Sequence, residues 1–564
     1  MKKIIAAIAV LTMSMTVVSC VDFLDVKPEG NPNQSSYFLT DKEAEDAIGA
    51  VYWIFDKEET WGRNLFWEQG CGDDMVCNQP GRWPSLMRFQ YTGDESPLTD
   101  NWYAFTEYIA RANWLVSSLK EKKAESGLSA VESRVLGEAL FMRAYLHFHI
   151  AYRYGRPDQG VPFVRYEDYP HYVETMIGTI PPQQKTVMDN FQLIIEDCDK
   201  AAEYLPFFET YGADDYGRAH KAAAWALKVK TYAYWATYDS SKWALIPDLV
   251  DKLEKEGNRA LLSSFADVFT MANNYSSEYI WSATGTGRSE GGPRFPGVCL
   301  INKGWGIFNG WGSLKPSRSL YEEFDANDLR RDVSVFSYGM NITYFGENMP
   351  FTDNSGDQIV SGFMFAKYFE PYTYGNWVYD SEGNVNGAQT VLTNPYVSTN
   401  GNDMTTDLAI PLIRHAEMVL FKAEAYINTG KGDLAAKELN KLTKRAGLGE
   451  PYVNATMADL MHERRCELSG EFTDRFMDLK RWAYAGDAAT KAYAIGQLNA
   501  NQYDRVPVNP NAGYDPVTND WAPSKVIWPA GERNYEPEYD FVFPYPTLEV
   551  SKANGALKQN PIGR

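Results

Sequence analysis

The string HERRC at residues 462–466 comes nearest to a catalytic motif in this chain. It has the outline of HExxH, in which two histidines one helical turn apart bind zinc and the glutamate acts as a base. Here Cys466 stands in the place of the second histidine, and the two intervening arginines would repel a dication. We therefore expect no zinc protease, and interpret the charged residues of 463–467 as a salt-bridged helix surface or an interhelical network.

Adjacent carboxylates occur at Asp73-Asp74 and at Asp214-Asp215. A glycosidase needs two carboxyl groups on opposite sides of the scissile bond, and adjacency in sequence does not provide that arrangement. The acidic turns at residues 353–357 and 380–384 lack the full spacing of a calcium loop, so we interpret them as polar turns, with calcium binding as the alternative. No nucleophile elbow or phosphate-binding loop is found either. We therefore expect no catalysis, no metal site and no cofactor, with a secreted hydrolase of unrecognised site kept as an alternative.

Aromatic side chains favour a binding function instead. They make up 14% of the chain, with 16 Trp and 36 Tyr, which is more rings than a core requires. Many lie in glycine-rich stretches at residues 60–100 and 275–320. These stretches are longer than ordinary connecting loops, and they contain more tryptophan than disordered segments do. A sugar presents apolar C–H faces and a rim of hydroxyl groups, so a glycan site combines flat rings with planar polar groups. We predict that these loops bind glycan; the alternative is that most of the rings hold the loops in place.

The candidate glycan-binding residues lie in these loops, except Trp377, which lies further along the chain. Trp83, Trp305 and Trp311 are flanked by Gly, Pro or Arg, and we expect their rings to be exposed. The other candidates are Asp73, Asn78, Arg82, Trp67, Trp281 and Trp377. Because an exposed ring contributes little to the core, its removal should weaken binding without changing stability.

The strongest helical pattern runs through residues 413–483, where we predict four consecutive helices. In the first, small and apolar residues recur at helical spacing from Ile413 to Ile427. Gly430 suits a left-handed helix end and Asp433 suits the cap of the next helix, so the pair should form a hairpin. Alanine-rich contact faces joined by a glycine turn are typical of tetratricopeptide-like units.

Further amphipathic or alanine-rich helices are predicted over residues 41–55, 102–119, 131–154, 181–204 and 217–238. Thr40 or Asp41 is the expected cap of the first of these helices. The predicted fold class is therefore mainly α, with a scaffold of helical pairs at about 40–260 and 407–485.

Residues 275–406 have a different character, because glycine, asparagine and aromatic residues dominate and helical periodicity disappears. We predict a large, irregular, loop-rich insertion there, carrying short strands and the ligand face. The last segment, residues 486–564, is expected to pack back on the core.

The amino terminus has the features of an exported protein. An apolar run at residues 4–18, preceded by two lysines, predicts a signal peptide of residues 1–19 rather than a spanning helix. The string VVSC at residues 17–20 has the form of a lipobox, whose cysteine is acylated before cleavage. The mature chain would then be tethered to a membrane by acyl chains on Cys20. The alternative is a soluble secreted protein.

Charge and cysteine content restrict the remaining possibilities. The net charge of −20 argues against a nucleic-acid partner, because phosphate binding needs a basic surface. Five cysteines follow Cys20, an odd number that excludes full internal pairing. Cys71 and Cys77 are the near pair among them, and whether they form a disulfide stays open.

Several strings resemble a known family. They are PLIRHAEMVLFKAEAY at 411–426, LNKLTKRAGL at 439–448 and HERRCELSGEFTDRFMDLKRW at 462–482. In order, residue type and spacing they resemble the C-terminal signature of the SusD/RagB family of outer-membrane glycan-binding lipoproteins. The departures are Cys466 and Ser469-Gly470, and neither bears on the binding prediction.

The resemblance implies a SusD-like fold and a non-catalytic protein anchored in the outer membrane and facing the cell exterior. It also implies that the protein captures oligo- or polysaccharide and delivers it to a SusC-like TonB-dependent transporter. A RagB-like relative that binds peptide is the alternative within the family. Which glycan is bound is not readable here, because linkage specificity lies in loop geometry.

Overall fold

A computed structural model describes residues 40–62, 64–77, 84–168, 181, 183–284, 299–300, 302, 311–344, 347–351, 361–368, 375–376, 390–391, 408–472, 475–500, 503–507, 521–526 and 532–562. Helices predominate and strands are short, so the predicted mainly α fold class is confirmed. Within these ranges, no helix is both long and apolar enough to cross a bilayer. The predicted signal peptide and Cys20 lie outside the described residues.

The helices of the N-terminal half are α1 (Asp41–Tyr52), α2 (Asn64–Gln69), α3 (Pro84–Met87), α4 (Ser96–Glu125), α5 (Ala130–Tyr154), α6 (Val187–Tyr204), α7 (Lys221–Trp235) and α8 (Ile246–Lys255). Thr40, Ser129 and Thr186 begin α1, α5 and α6 with reciprocal capping boxes. Thr40 is thus confirmed as the first cap. Helix α4 begins before the predicted Trp102 because Pro97, in its first turn, is compatible with a helix start.

Helix α5 is the centre of this half. Every residue from Val135 to Tyr154 is buried, and the helix packs against α1, α4 and α6. A helix without an exposed face must pair its polar groups internally. Accordingly, the Arg143 guanidinium donates to Asp197 at 2.7 and 2.9 Å and to Glu167 at 2.9 and 3.0 Å.

The helices of the C-terminal half are α9 (Arg318–Glu323), α10 (Leu329–Ser334), α11 (His415–Asn428), α12 (Gly432–Arg445), α13 (Met457–Leu468), α14 (Arg475–Ala485), α15 (Ala488–Leu498), α16 (Pro537–Asp540) and α17 (Thr547–Lys552). The four helices predicted in this half are α11 to α14. Helices α11 and α12 form the predicted hairpin, with Gly430 in the left-handed conformation at φ +75°. Asp433 was wrongly predicted as the cap of α12: the helix begins at Gly432, and Asp433 lies in its first turn.

The strands are β1 (Met75–Cys77), β2 (Tyr279–Ala283), β3 (Leu314–Pro316), β4 (Val335–Ser337), β5 (Asn341–Tyr344), β6 (Glu347–Pro350), β7 (Phe363–Phe365), β8 (Gly375–Asn376), β9 (Thr390–Val391), β10 (Ile410–Arg414), β11 (Tyr503–Pro507) and β12 (Trp521–Val526). They pair two by two and antiparallel, β1 with β3, β2 with β10, β4 with β7, β5 with β6, β8 with β9 and β11 with β12.

Two further predictions of secondary structure differ from what the structure shows. Ile413 was expected in a helix but lies in β10, opposite Trp281 of β2, because a short apolar run fits a buried strand as well as a helix. Helices α9 and α10 lie within residues 275–406, where loops and strands alone were expected. Each begins with a side-chain cap, Ser317 for α9 and Asp328 for α10, which supports helices too short to show periodicity.

A buried network of charges joins β10 to the C-terminal helices. Arg414, at the end of β10, is 1% exposed and pairs with Glu278 at 2.5 Å, Glu467 at 2.8 Å and Glu471 at 2.8 Å. Arg445 and Arg330 also pair with Glu467. Burial alone would raise the pKa of Glu467, but the three arginines outweigh it and lower the pKa to about 2. Of the two interpretations of residues 463–467, the interhelical network is confirmed.

Residues 543–545 of the C-terminal segment lie on α4 and α5. The Phe543 amide donates to the Arg153 carbonyl oxygen at 2.8 Å, and the Tyr545 ring stacks on Tyr154 at 5.5 Å. The Trp102 ring of α4 meets Tyr545 edge-on at 5.1 Å. Because Phe543 and Tyr545 are fully buried, this contact is part of the main core.

The charge network predicts an acid-dependent loss of stability. Glu467→Gln should lower the free energy of unfolding near pH 7 by on the order of 3–5 kcal/mol, as expected when one partner of a buried pair is removed. The folded pKa of Glu467 lies below the ordinary 4.5, so its charge stabilises the fold above that pH and the contribution is lost as the pH falls toward 2. Urea unfolding at pH 7, 4 and 3 should show wild type and variant converging. A difference that stays constant with pH would contradict the prediction.

Two glycines at the same φ allow backbone strain and side-chain clash to be separated. Gly430 and Gly470 both have φ +75°, but a Cβ at Gly430 would meet nothing, whereas one at Gly470 would lie 2.7 Å from the buried Phe365 ring. Gly430→Ala should therefore cost only the left-handed strain of about 1–2 kcal/mol. Gly470→Ala should cost clearly more, since Phe365 must move. Urea unfolding measures both, and equal losses would show that the ring yields freely.

Candidate functional site

The two aromatic loops meet at a small sheet. Strand β1 lies in the first loop and β3 in the second, and they pair antiparallel with Cys77 opposite Leu314 and Met75 opposite Pro316. In an antiparallel pair, the chain leaving one strand and the chain entering the other share an end. Residues that follow Cys77 and residues that precede Leu314 therefore start from the same end of this sheet.

Asp73 and Asp74 anchor the base of the first loop in the protein interior. Both Asp73 oxygens accept from the Arg475 guanidinium of α14, each at 2.9 Å, and Arg465 of α13 lies 3.3 Å from Asp73 and 2.7 Å from Asp74. The Ser317 hydroxyl donates to the Asp73 carbonyl oxygen at 2.6 Å, which fixes the end of β3 to the same point.

The pKa values of Asp73 and Asp74 are shifted by burial and by neighbouring charges. Burial would raise the pKa of Asp73, but Arg465 and Arg475 hold that pKa well below its usual range. Burial and the neighbouring Asp73 carboxylate raise the pKa of Asp74. Asp73 is 5% exposed and already bonded by two guanidinium groups, so its position does not support the predicted contact with a glycan.

Two of the candidate tryptophans are also interior residues. Trp67 of α2 is 1% exposed within the main core. Trp281 of β2 is 2% exposed, and its ring contacts Phe141 at 4.7 Å and Tyr145 at 4.8 Å, while its Nε1 donates to the Gly217 carbonyl oxygen at 3.0 Å. The glycan-binding role predicted for these two rings is not supported, because each is packed on protein. They match the alternative in which rings hold loops in place.

Trp311 remains at the junction of the loops. It is partly buried against the core, three residues before β3, and the amide of nearby Ser313 donates to the Cys299 carbonyl oxygen at 2.8 Å. The Trp311 ring is therefore less exposed than predicted. The remaining candidates lie outside the described residues: Asn78, Arg82, Trp83, Trp305 and Trp377.

The HERRC string is placed for structure rather than zinc chemistry. His462 Nδ1 is 2.7 Å from a Glu323 oxygen, a hydrogen bond that raises the pKa of His462. Glu463 pairs with Arg330 at 2.8 Å. Among the described residues no group of three or more His, Cys, Asp or Glu could hold a metal ion.

Whether Cys71 and Cys77 form a disulfide could not be decided from the sequence. In the structure both are free cysteines, and the Cys71 thiol contacts the Leu86 carbonyl oxygen at 3.5 Å.

Sequence reasoning missed the residues that position the loops. Arg475 was not singled out, although it holds Asp73 across 402 positions of sequence. Arg533 was also missed; it donates to the Met87 carbonyl oxygen at 3.1 Å and to that of Cys71. For Arg475, the available signal was the two arginines in each of α13 and α14, since buried guanidinium groups require carboxylates elsewhere.

Known family models match both halves of the chain. One, described as the SusD family, matches residues 277–562. The other, described as starch-binding and associating with the outer membrane, matches residues 22–233.

Individual relatives match over nearly the whole length. A SusD-like protein of Bacteroides ovatus is 23% identical, over 98% of this chain and 97% of its own. Surface glycan-binding protein A of Bacteroides thetaiotaomicron, solved in complex with laminarihexaose, superposes with a TM-score of 0.64 at 19% identity, covering 92% of this chain and 99% of its own. A further structure, solved with a xylogluco-oligosaccharide, has a TM-score of 0.69 at 20% identity, over 92% and 99% of the two chains.

Because the SusD family model matches half of the chain and the relatives align over nearly its whole length, the chain belongs to the SusD family.

Proposed function

We propose that this protein is a surface-anchored, non-catalytic lipoprotein that captures oligo- or polysaccharide and delivers it to a SusC-like TonB-dependent transporter. The observation that carries the proposal is the β1–β3 pairing, by which the two aromatic loops start from one end of one sheet. Rings contributed by two distant parts of the chain can then serve a single ligand.

The chemistry of these loops suits a glycan. Trp83, Trp305 and Trp311 supply flat apolar surfaces, and Asn78 and Arg82 supply planar polar groups, within or next to the two segments. Rings match the C–H faces of a sugar, while amide and guanidinium groups match its hydroxyl rim. The loop bases are held by buried ion pairs, so the rings need not fold the loop as well as bind.

The relatives support the same class of ligand. The protein from B. thetaiotaomicron was solved with laminarihexaose, and another relative was solved with a xylogluco-oligosaccharide. The family model over residues 22–233 carries the words starch-binding and associating with outer membrane. These names support a neutral glycan in preference to peptide, the ligand of the RagB-like alternative.

Anchoring and transfer are the parts of the proposal that rest on sequence. The string VVSC at residues 17–20 supplies the lipobox, and acylated Cys20 would tether the chain to outer-membrane lipid. The helical frame would face the transporter, and the loops would face the ligand.

The non-catalytic assignment is tested by incubating the protein with plant and host glycans and assaying the reducing ends. A hydrolase would release new reducing ends, whereas a binding protein would not.

Tryptophan substitutions test the ligand face. With a glycan identified on an array, Trp83→Ala and Trp311→Ala should each weaken binding by on the order of 1–3 kcal/mol, the range for burying a large apolar side chain. Titration calorimetry measures the affinity. Because Trp311 also packs on the core, its variant should melt at a somewhat lower temperature, whereas the affinity loss should persist well below that temperature.

Two control variants separate binding from folding. Trp281→Ala removes a buried ring and should lower the melting temperature strongly, with large-to-small core costs of about 3–5 kcal/mol. Tyr103→Ala removes a ring that is 39% exposed on α4 and should change neither property much. If affinity survives in both loop variants, the ligand is bound elsewhere.

The lipid anchor has its own test. Cys20→Ala should leave the protein unlipidated, because the sulfur that would carry the acyl chains is lost. Metabolic labelling with a palmitate analogue measures acylation directly, whether or not the uncleaved signal peptide holds the variant in a membrane. Wild type should take up the label and the variant should not; equal labelling of both would refute the assignment.

A further inference from the structure

A cleft is present whose lining includes no residue of the β1–β3 sheet. Its volume is about 360 Å³, within the ~300–1,000 Å³ that small-molecule sites commonly occupy. Its walls come from α1 and the turn after it, from residues 214 and 216–218, and from residues 282–284 at the end of β2. None of the nine candidate glycan-binding residues named from the sequence lines it.

The α1 wall is built from one face of the helix. Glu45, Gly49 and Tyr52 recur at helical spacing and all line the cleft. Gly49 is exposed, and a Cβ built on it would meet no atom within 4 Å. A glycine inside a helix costs about 0.5–1 kcal/mol relative to alanine, and no contact among the described residues demands it. Its missing side chain leaves this part of the cleft open.

The opposite wall is held rigidly. Gly217 has φ +94°, and a Cβ there would lie 2.4 Å from the Thr284 methyl group, so glycine permits the turn to touch the end of β2. The Gly217 carbonyl oxygen accepts from Trp281 Nε1, and the Tyr52 hydroxyl accepts from the Ala219 amide at 2.9 Å. Buried Trp281 thereby fixes the position of this wall.

Aromatic rings stand at the rim. Trp53, immediately after α1, is 60% exposed, an unusual fraction for so large an apolar side chain. Tyr216 is 37% exposed, with its ring supported by Phe208 at 5.3 Å and Tyr275 at 5.1 Å. Sequence signalled Trp53 indirectly, since it lies off the buried stripe formed by Ala44, Ile48 and Val51.

The charges of the lining select against anions. Asp56, Asp214 and Glu45 line the cleft; Arg218, the cation among its lining residues, is held by Asp215 at 2.8 Å, and Glu45 pairs with Arg134 at 2.6 Å. Carboxylates accept hydrogen bonds from sugar hydroxyl groups but repel uronic acids and sulfates. An exposed ring beside carboxylate acceptors thus matches an uncharged sugar better than an acidic one.

We propose that this cleft is a second saccharide-binding site, which takes neutral hexose units of an oligosaccharide stacked on Trp53. The choice of ligand class rests on the proposed function, whereas the cleft itself does not. A chain held at both the loops and the cleft would dissociate more slowly than one held at either alone.

Fluorine NMR of detergent-solubilised protein labelled with 5-fluorotryptophan tests the proposal directly. The Trp53 resonance is identified by its loss in Trp53→Phe. Laminarihexaose and a xylogluco-oligosaccharide are titrated as neutral probes, with an oligogalacturonate and a trilysine peptide as charged probes. The Trp53 resonance should shift saturably with at least one neutral probe and with neither charged one.

Gly49→Leu provides the site variant and Gly496→Leu its matched control. Gly496 is an exposed glycine in α15 at which an added Cβ would also meet no atom within 4 Å, but it does not line the cleft. Leucine favours helix at both positions, so melting temperatures should not fall. Filling the cleft should weaken the affinity reported by Trp53 at least about tenfold, and the control should leave it unchanged.

The outcomes distinguish this inference from the proposed function. If other tryptophan resonances respond to a neutral probe and Trp53 does not, or if Gly49→Leu leaves the Trp53 shift intact, the second site is refuted and the proposed function stands. A response of Trp53 to trilysine in place of sugar also refutes it, in favour of a peptide. If no resonance responds and no glycan on the array binds, both fail.

Discussion

The buried pairing of arginines with carboxylates is the constraint on which the rest of this structure depends. Arg414, Arg445 and Arg330 converge on Glu467 of α13, and Arg465 of the same helix reaches Asp73 and Asp74 far upstream. An unpaired charge inside a protein costs several kcal/mol, so removal of either partner would be strongly destabilising. Helices α10, α12 and α13, strand β10 and the base of the first loop are therefore tied to one arrangement.

The same buried ion pairs hold the β1–β3 sheet on the helical frame. Carboxylates from residues 73 and 74 and the hydroxyl of Ser317 fix both strands of the β1–β3 sheet to α13 and α14. In the proposed function, the residues that follow Cys77 and precede Leu314 would carry the contacts to the ligand. The frame is shared with structures of about a fifth identity, so the fold does not require a common sequence.

The aromatic residues divide along the same line. Trp67 and Trp281 are packed on protein, and Trp281 positions a wall of the cleft through its indole N–H. Trp53 presents its ring to solvent and Trp311 does so in part. A ring inside the core contributes through burial, whereas a rim ring can contribute only when a ligand covers it. Composition alone counts both kinds equally, which explains why the candidate set mixed them.

The sequence by itself determined the features that depend on neighbours along the chain. Capping at Thr40, the glycine turn at Gly430 and the four helices α11 to α14 were predictable because they arise from contacts within a few residues. Tertiary structure alone decided what depends on distant partners. Ile413 became strand because Trp281 lies opposite it, and Asp73 became an anchor because Arg475 reaches it from 402 residues away. Local spacing holds no record of such pairings, since burial and long-range charge complementarity exist only once the chain has folded.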